Sequence, residues 1–261
     1  MKVPKKSPLK DRPLRYTGQS LDEEIDDLLN DKMLIYVVAV ILLITLTAMQ
    51  WLNFYNPITS PPYALTVISF LAVLYCSFQV YRHFRRLKTL KLGRDGERAV
   101  GQYLELLREQ GCRIFHDIIG ASFNIDHVII SKKGIFVIET KTYSKPIREK
   151  PQPVICYDGG KILIDGHESK SDILTQVKAS SSWLKEVIKE STGKVFDITP
   201  VIVFPGWFVE GPGNKKEKIQ VLNPKLLPAF ISGRKDVLPQ DDVMLASYHI
   251  SRFIRIRRKD Y

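Results

Sequence analysis

The chain has 261 residues, 39 Lys and Arg against 28 Asp and Glu, a formal net charge of +11, and three cysteines. That length holds one domain of about 140 residues plus a further segment, and Cys76, Cys112 and Cys156 lack the spacing of a disulfide framework or a cysteine metal cage. The charge is uneven: residues 1–81 carry 7 basic and 7 acidic side chains, residues 82–94 carry 6 basic ones, and residues 95–251 carry 21 basic and 20 acidic. The body beyond residue 94 is therefore nearly neutral, and net charge alone does not mark a nucleic-acid surface.

In chain order, the tail 1–32 sets Leu21, Ile25, Leu28 and Leu29 at helical spacing among acids, which predicts a short amphipathic helix. Residues 33–54 and 63–81 contain no charged side chain and are of membrane-spanning length. With Pro57, Pro61 and Pro62 between them, they predict a two-helix transmembrane hairpin over 33–81, with Trp51, Tyr55 and Tyr63 as an interfacial belt. A signal peptide fits less well, because the apolar run starts only after the tail and exceeds an h-region in length. A buried helical pair of a soluble domain is the other reading, and the freedom from charge weighs against it.

Lys2, Lys5, Lys6, Lys10, Arg12, Arg15 and Lys32 precede the hairpin, Arg82, Arg85, Arg86, Lys88, Lys91 and Arg94 follow it, and its linker has no basic residue. The positive-inside rule then predicts a multi-pass protein of the cytoplasmic (inner) membrane with both termini and the main domain cytoplasmic. The cluster over 82–94 reads as a juxtamembrane linker that sets topology and touches anionic lipid.

A helix is predicted from Asp95, a candidate N-cap, to Gly111, a candidate terminator. Glu97 has Val100, Gly101 and Leu104 at i+3, i+4 and i+7, which sets it on or beside the buried stripe. A first-turn glutamate favoured by the helix dipole is the plainer alternative.

Two runs rich in Val, Ile and Phe then flank Ser131-Lys132-Lys133-Gly134 and predict an antiparallel hairpin. If the loop is two or four residues long, the numbers of facing partners sum to 265, as those of Asp126 and Glu139 do. The two carboxylates then lie opposite each other, and Lys141 shares their face. Facing carboxylates repel unless a cation sits between them, and oxygen ligands favour a hard ion, Mg²⁺ or Mn²⁺. A lysine beside them can hold water or offset charge on a phosphorane-like transition state. An exposed Glu139–Lys141 ion pair with Asp126 as a turn residue is the competing reading, and the apolar neighbours Val128, Ile130, Ile135 and Val137 on the same face count against it.

Gly93-x-x-Gly96-Glu97, Asn124-Ile125-Asp126-His127-Val128 and Gly134-Ile135-Phe136-Val137-Ile138-Glu139-Thr140-Lys141 together resemble the nuclease-related domain (NERD) family, from about residue 93 to about residue 230. That family is similar to the PD-(D/E)xK nucleases. The resemblance implies an α/β fold with a restriction-endonuclease-type core, a central mixed sheet flanked by helices. It implies that Asp126 and Glu139 ligate Mg²⁺ or Mn²⁺, that Glu97 is an upstream acid near the metal, that Lys141 orients or activates water, and that Thr140 offers its backbone carbonyl. Gln176 is the candidate for the polar residue such nucleases place on the helix after the catalytic strand.

That helix is predicted around Ile173, Val177, Leu184 and Val187, with Gln176 bordering the stripe, and Asp197 to Phe204 reads as a further buried strand. Pro151, Pro153 and Gly159-Gly160 suggest a loop and hairpin over 148–168 without assigned chemistry. The nuclease-like domain is expected over 95–235, and 236–261 as a C-terminal helix from Asp241 with a basic end that contacts lipid or phosphate. The functional expectation is a membrane-anchored, divalent-metal-dependent nuclease acting on nucleic acid, DNA in preference to RNA. The alternative is a non-catalytic membrane-tethered nucleic-acid-binding or scaffolding module.

Overall fold

The structure, a computed structural model, describes residues 13–54, 62–120, 123–146, 152–169, 172–211 and 218–257. The hairpin linker and the basic residues after Arg257 lie outside the described residues. The chain forms two compact units, Ser20–Leu92 on the one hand and Met1–Gln19 with Gly93–Tyr261 on the other.

The first unit is helical. Helix α1 (Gln19–Asp27) and a π-helical turn (Leu28–Met33) lead into α2 (Leu34–Phe54), and α3 (Tyr63–Glu109) begins on the far side of the linker. The tail's predicted amphipathic helix forms, and Ile25 and Leu28 pack with Leu87 as a small apolar cluster. The apolar side chains of α2 face outward, among them Ile35, Val38, Ile41 and Leu52. Both α2 with its leader and α3 are long and apolar enough to cross a membrane. Trp51 donates its indole N–H to Thr66 Oγ1 at 2.9 Å and stacks edge-on with Tyr63.

Residues 82–94 are helical, and no new helix starts at Asp95: α3 is one helix to Glu109. Leu, Lys and Arg dominate 85–92 and propagate a helix well, while Gly93 and Gly96 cost about 1 kcal/mol each without breaking it. Inside a continuing helix no orphan N–H needs a cap, so the Asp95 carboxylate instead pairs with Arg94 at 2.9 Å. The predicted end does hold, since Gly111 has φ +87 just past the last turn.

The second unit is a mixed α/β structure. Strands β1 (Arg113–Ile119), β2 (Asn124–Ser131), β3 (Gly134–Thr140), β7 (Ile198–Val203) and β9 (Gln220–Leu222) form a five-stranded sheet in the order β1-β2-β3-β7-β9 among the described residues. The first three are antiparallel and the last three parallel. All seven residues of the central β3 are buried. Phe136 and Ile138 pack with Val100, Leu104 and Leu107 of α3 on one face. Ile135 and Val137 join Val177, Leu184 and Ile188 of α4 (Ile173–Thr192) and Val243 and Ile250 of α6 (Gln240–Arg257) on the other. Helices thus cover both faces, as parallel pairing requires.

Strands β4 (Val154–Tyr157), β5 (Ile162–Ile164), β6 (His167–Glu168) and β8 (Phe208–Glu210) make a second, smaller sheet, within which the proline- and glycine-marked segment folds as a hairpin. A 3₁₀ turn (Pro224–Leu226) and α5 (Leu227–Ser232) link β9 to α6.

Candidate active site

The hairpin register places the site. Lys132 and Lys133 form the two-residue turn, and the ladder pairs Ser131 with Gly134 and His127 with Ile138. Continued by one step, the same register sets Asp126 opposite Glu139, and the Glu139 charge acts on Asp126. The backbone ladder of the two strands ends at His127 and Ile138, and beyond it the Thr140 N–H donates to Asp126 Oδ2 at 2.6 Å. Thr140 therefore acts through its amide, fixing the acid at the strand end. Its own strand continues onto β7, where the Lys141 N–H donates to the Val203 carbonyl at 2.9 Å.

Glu139, Lys141 and Gln176 form a closed triangle. Lys141 Nζ lies 2.7 Å from Glu139 Oε1 and donates to Gln176 Oε1 at 2.9 Å. Gln176 Nε2 donates to the same Glu139 Oε1 at 2.8 Å. Asp172 caps α4 by accepting from the Thr175 N–H, which fixes the first turn that carries Gln176. The ion pair is no exposed surface bridge, since the side chain of Glu139 is 2% exposed and that of Lys141 is 23% exposed. Glu139 Oε2, by contrast, is buried with no hydrogen-bond partner among the described residues. A buried, unmatched carboxylate oxygen is costly unless something positive completes it.

Titration behaviour follows from this crowding. Burial pushes the Asp126 carboxyl well up, with the charges of Glu139 and then Glu97 adding to it, against the Thr140 N–H and Lys141. Burial also raises Glu139, opposed by Lys141. For Lys141 burial pulls down, but the Glu139 charge and hydrogen bond outweigh it and the ammonium is held protonated.

Helix α3 brings Glu97 toward this end of the sheet by close approach at Gly96. A Cβ there would stand 1.7 Å from Thr142 Oγ1 and 2.8 Å from Thr142 Cβ, so only glycine admits the strand extension. The structure thus brings Asp126, Glu139, Lys141 and Gln176 together, with Glu97 near enough for its charge to act on Asp126. Among the described residues no three of His, Cys, Asp and Glu gather into a ready-made metal cage. Asp126 and Glu139 offer hard oxygen donors of the kind a divalent cation takes, and Glu139 Oε2 has no partner among the described residues.

Thr142 is absent from the residues singled out in the sequence. Its only sequence signal is the glycine at 96, whose partner lies a long way down the chain. Arg15 and Asp117 are likewise unanticipated: they form a buried ion pair at 2.7 Å, each side chain 4% exposed. Thr17 seats against Gly101 beside it. This fastens the segment before α1 to the same unit as the site.

No relative among curated proteins and no solved structure matches the chain. The family model of the nuclease-related domain (NERD) matches residues 92–205, a range that holds Glu97, Asp126, Glu139, Lys141 and Gln176, and this part of the chain is similar to that family.

Proposed function

We propose that this is a membrane-anchored, divalent-metal-dependent nuclease that hydrolyses phosphodiester bonds of DNA or RNA at the cytoplasmic face. The observation that carries the reading is the Glu139–Lys141–Gln176 triangle set beside Asp126, with Glu139 Oε2 buried and unmatched. The five-stranded mixed sheet with helices on both faces is the architecture expected of a PD-(D/E)xK core.

Asp126 and Glu139 would hold Mg²⁺ or Mn²⁺, with the Thr140 carbonyl as a further oxygen. Such an ion supplies Lewis-acid stabilisation of charge on the scissile phosphate. The protein's own groups do the rest. Lys141, kept protonated by Glu139, is a donor and a positive charge and not a base: it orients the attacking water and offsets charge on the phosphoryl oxygens. Gln176 holds both members of the ion pair in place and is a positioning residue. Glu97 raises the affinity of Asp126 for positive charge.

The hairpin of α2 and α3 would anchor the protein, with the positive-inside bias setting its orientation. A second reading, a non-catalytic nucleic-acid-binding or scaffolding module on the same fold, draws on the absence of a three-acid cluster among the described residues.

The test is cleavage by the full chain in detergent. Labelled DNA and RNA oligonucleotides should be cut with Mg²⁺ or Mn²⁺ and not with EDTA, and Glu139→Ala or Lys141→Ala should abolish cutting. Wild-type cutting that survives both substitutions removes the site assignment, and binding without cutting over a range of metals favours the second reading.

A further inference from the structure

The parallel strands β3, β7 and β9 all finish at the end of the sheet that carries the acids: Glu139 pairs with Ile202, Thr140 with Val203, and Val203 with Leu222. In open α/β sheets it is the carboxyl ends of the parallel strands that ligands approach. Three pieces of chain leave these ends, and they meet at Trp207. The Trp207 indole N–H donates to the Tyr143 carbonyl at 3.2 Å, and Asn223 Nδ2 donates to the Trp207 carbonyl at 2.5 Å. Trp207 itself is buried.

The piece that leaves β3 runs from Lys141 to Lys145, and it is pinned along its length. The Lys141 N–H donates to the Val203 carbonyl, Thr142 seats against Gly96, and the Tyr143 ring stacks on Phe204, with 6.2 Å between centroids and 22° between planes. Tyr143 packs on the apolar cluster of Ile135 and Val137, on the face that Glu139 and Lys141 share by alternation. Against burial, Lys141 is held protonated by Glu139 first, then by Asp126 and Tyr143, which sets Tyr143 beside the ion pair.

Two residues on, the Lys145 ammonium lies 5.5 Å from the centre of the Trp207 ring. Lys145 is exposed and forms no ion pair among the described residues. A covalent tether bounds its distance from the site, since the four steps from Lys141 to Lys145 span about 14 Å at most. A lysine stem has much rotamer freedom to lose. The ring beneath the ammonium and the pinned backbone restrict it before any ligand arrives, which lowers the cost of a binding contact.

We propose that Lys145, held over Trp207, contacts a backbone phosphate of the bound nucleic acid near the scissile one. The inference rests on the nuclease reading and adds the direction in which the substrate leaves the acids, past the carboxyl ends of β3 and β7. A cation on a phosphate gives affinity without sequence preference.

The test compares the full chain in detergent with its Lys145→Gln and Lys145→Arg variants. Glutamine keeps part of the stem over Trp207 and removes the charge, and arginine keeps both. Binding of fluorescent DNA and RNA oligonucleotides is followed by anisotropy in EDTA over a salt series, and cleavage is followed with Mg²⁺. For Lys145→Gln the slope of log K on log salt should flatten by about 0.7 to 0.9, the loss expected for one phosphate contact, and KM should rise with kcat unchanged. Lys145→Arg should restore both slope and KM. Lost packing on Trp207 alone would leave the slope as it is. An unchanged slope, or an unchanged KM in a Lys145→Gln variant that still cuts, overturns the contact and leaves the nuclease reading standing. A wild-type chain that neither binds nor cuts overturns both.

Discussion

At the residue scale, the site works by setting side chains with opposed demands against each other. Burial favours the neutral form of Glu139 and, in the half-buried Lys141, the loss of its proton; the contact between them opposes both effects and outweighs burial at Lys141. Gln176 holds that contact in one geometry with a donor to one partner and an acceptor to the other. Gln176→Ala should therefore leave metal and substrate binding nearly intact while lowering kcat by about ten- to a hundred-fold, the range for mispositioned groups; a change in KM alone would refute the role. A second buried pair makes a different prediction. His116 and His127 face each other across β1 and β2 and share one Nδ1–Nδ1 hydrogen bond of 2.9 Å. Burial first, then the Arg108 charge, lowers His116 to about 4, and burial holds His127 well below its ordinary range. Both rings are neutral in the folded protein, so the unfolded chain takes up protons that the folded one refuses. Stability from His116 is complete above its unfolded value near 6.5 and is lost as pH falls toward 4, about 3 kcal/mol in all. Asp126 acts in the opposite sense, since its raised carboxyl favours the folded state on acidification. A His116→Gln variant separates the two: the stability gap between wild type and variant, read by thermal unfolding, should shift in the variant's favour between about pH 7 and about pH 4. A constant gap would refute it.

At the element scale, the contact that positions α3 is made by a missing side chain. Gly96→Ala would normally stabilise a helix by about 1 kcal/mol. Here the added methyl meets Thr142 at distances no packing tolerates, so the expected result is a loss of about 1–3 kcal/mol. Thr142→Gly should recover most of it in the double variant, and a stabilised single variant would show that the helix does not approach there. This contact also marks the limit of what the sequence discloses. The β2–β3 register was legible because a two-residue turn and the period of two leave one solution, and it carried Asp126, Glu139 and Lys141 with it. Gln176 came only with the family resemblance, which implies a polar residue on the helix after the strand of Glu139; a place bordering the apolar stripe of α4 does not by itself distinguish it from a structural glutamine. The continuity of α3 was not legible, since Asp95 and two glycines imitate a helix start and nothing local says that the preceding helix has failed to stop. Nor was the Arg15–Asp117 pair, whose members lie 102 positions apart; Asp117 at φ +50 has a conformation no strand pattern announces. The Thr140 amide was hidden for a simpler reason: every residue has one.

At the scale of the whole molecule, charge and hydropathy divide the work. The excess of positive charge lies in residues 82–94 and at the C-terminal end, and the domain body is close to neutral. A body so close to neutral gains little from long-range attraction to polyanions, and the positive charge is concentrated in its flanks. Two apolar helices with outward-facing Ile, Leu and Val side chains, a linker without basic residues and basic residues on both outer flanks make one topology favourable. That topology is checked by cysteine labelling in intact cells, with Cys156 replaced by Ser because it is the one native cysteine not buried among the described residues. Asn56→Cys, in the linker, should react with a membrane-impermeant maleimide from outside. Lys225→Cys, on the exposed surface of the nuclease-related domain's unit, should react only after the membrane is opened. Reaction of Lys225→Cys in intact cells would put the acids, and any nucleic acid they cut, on the other side of the bilayer. Reaction of neither before opening and both after it would mean that α2 and α3 do not cross, and that their apolar faces are covered by protein and not by lipid.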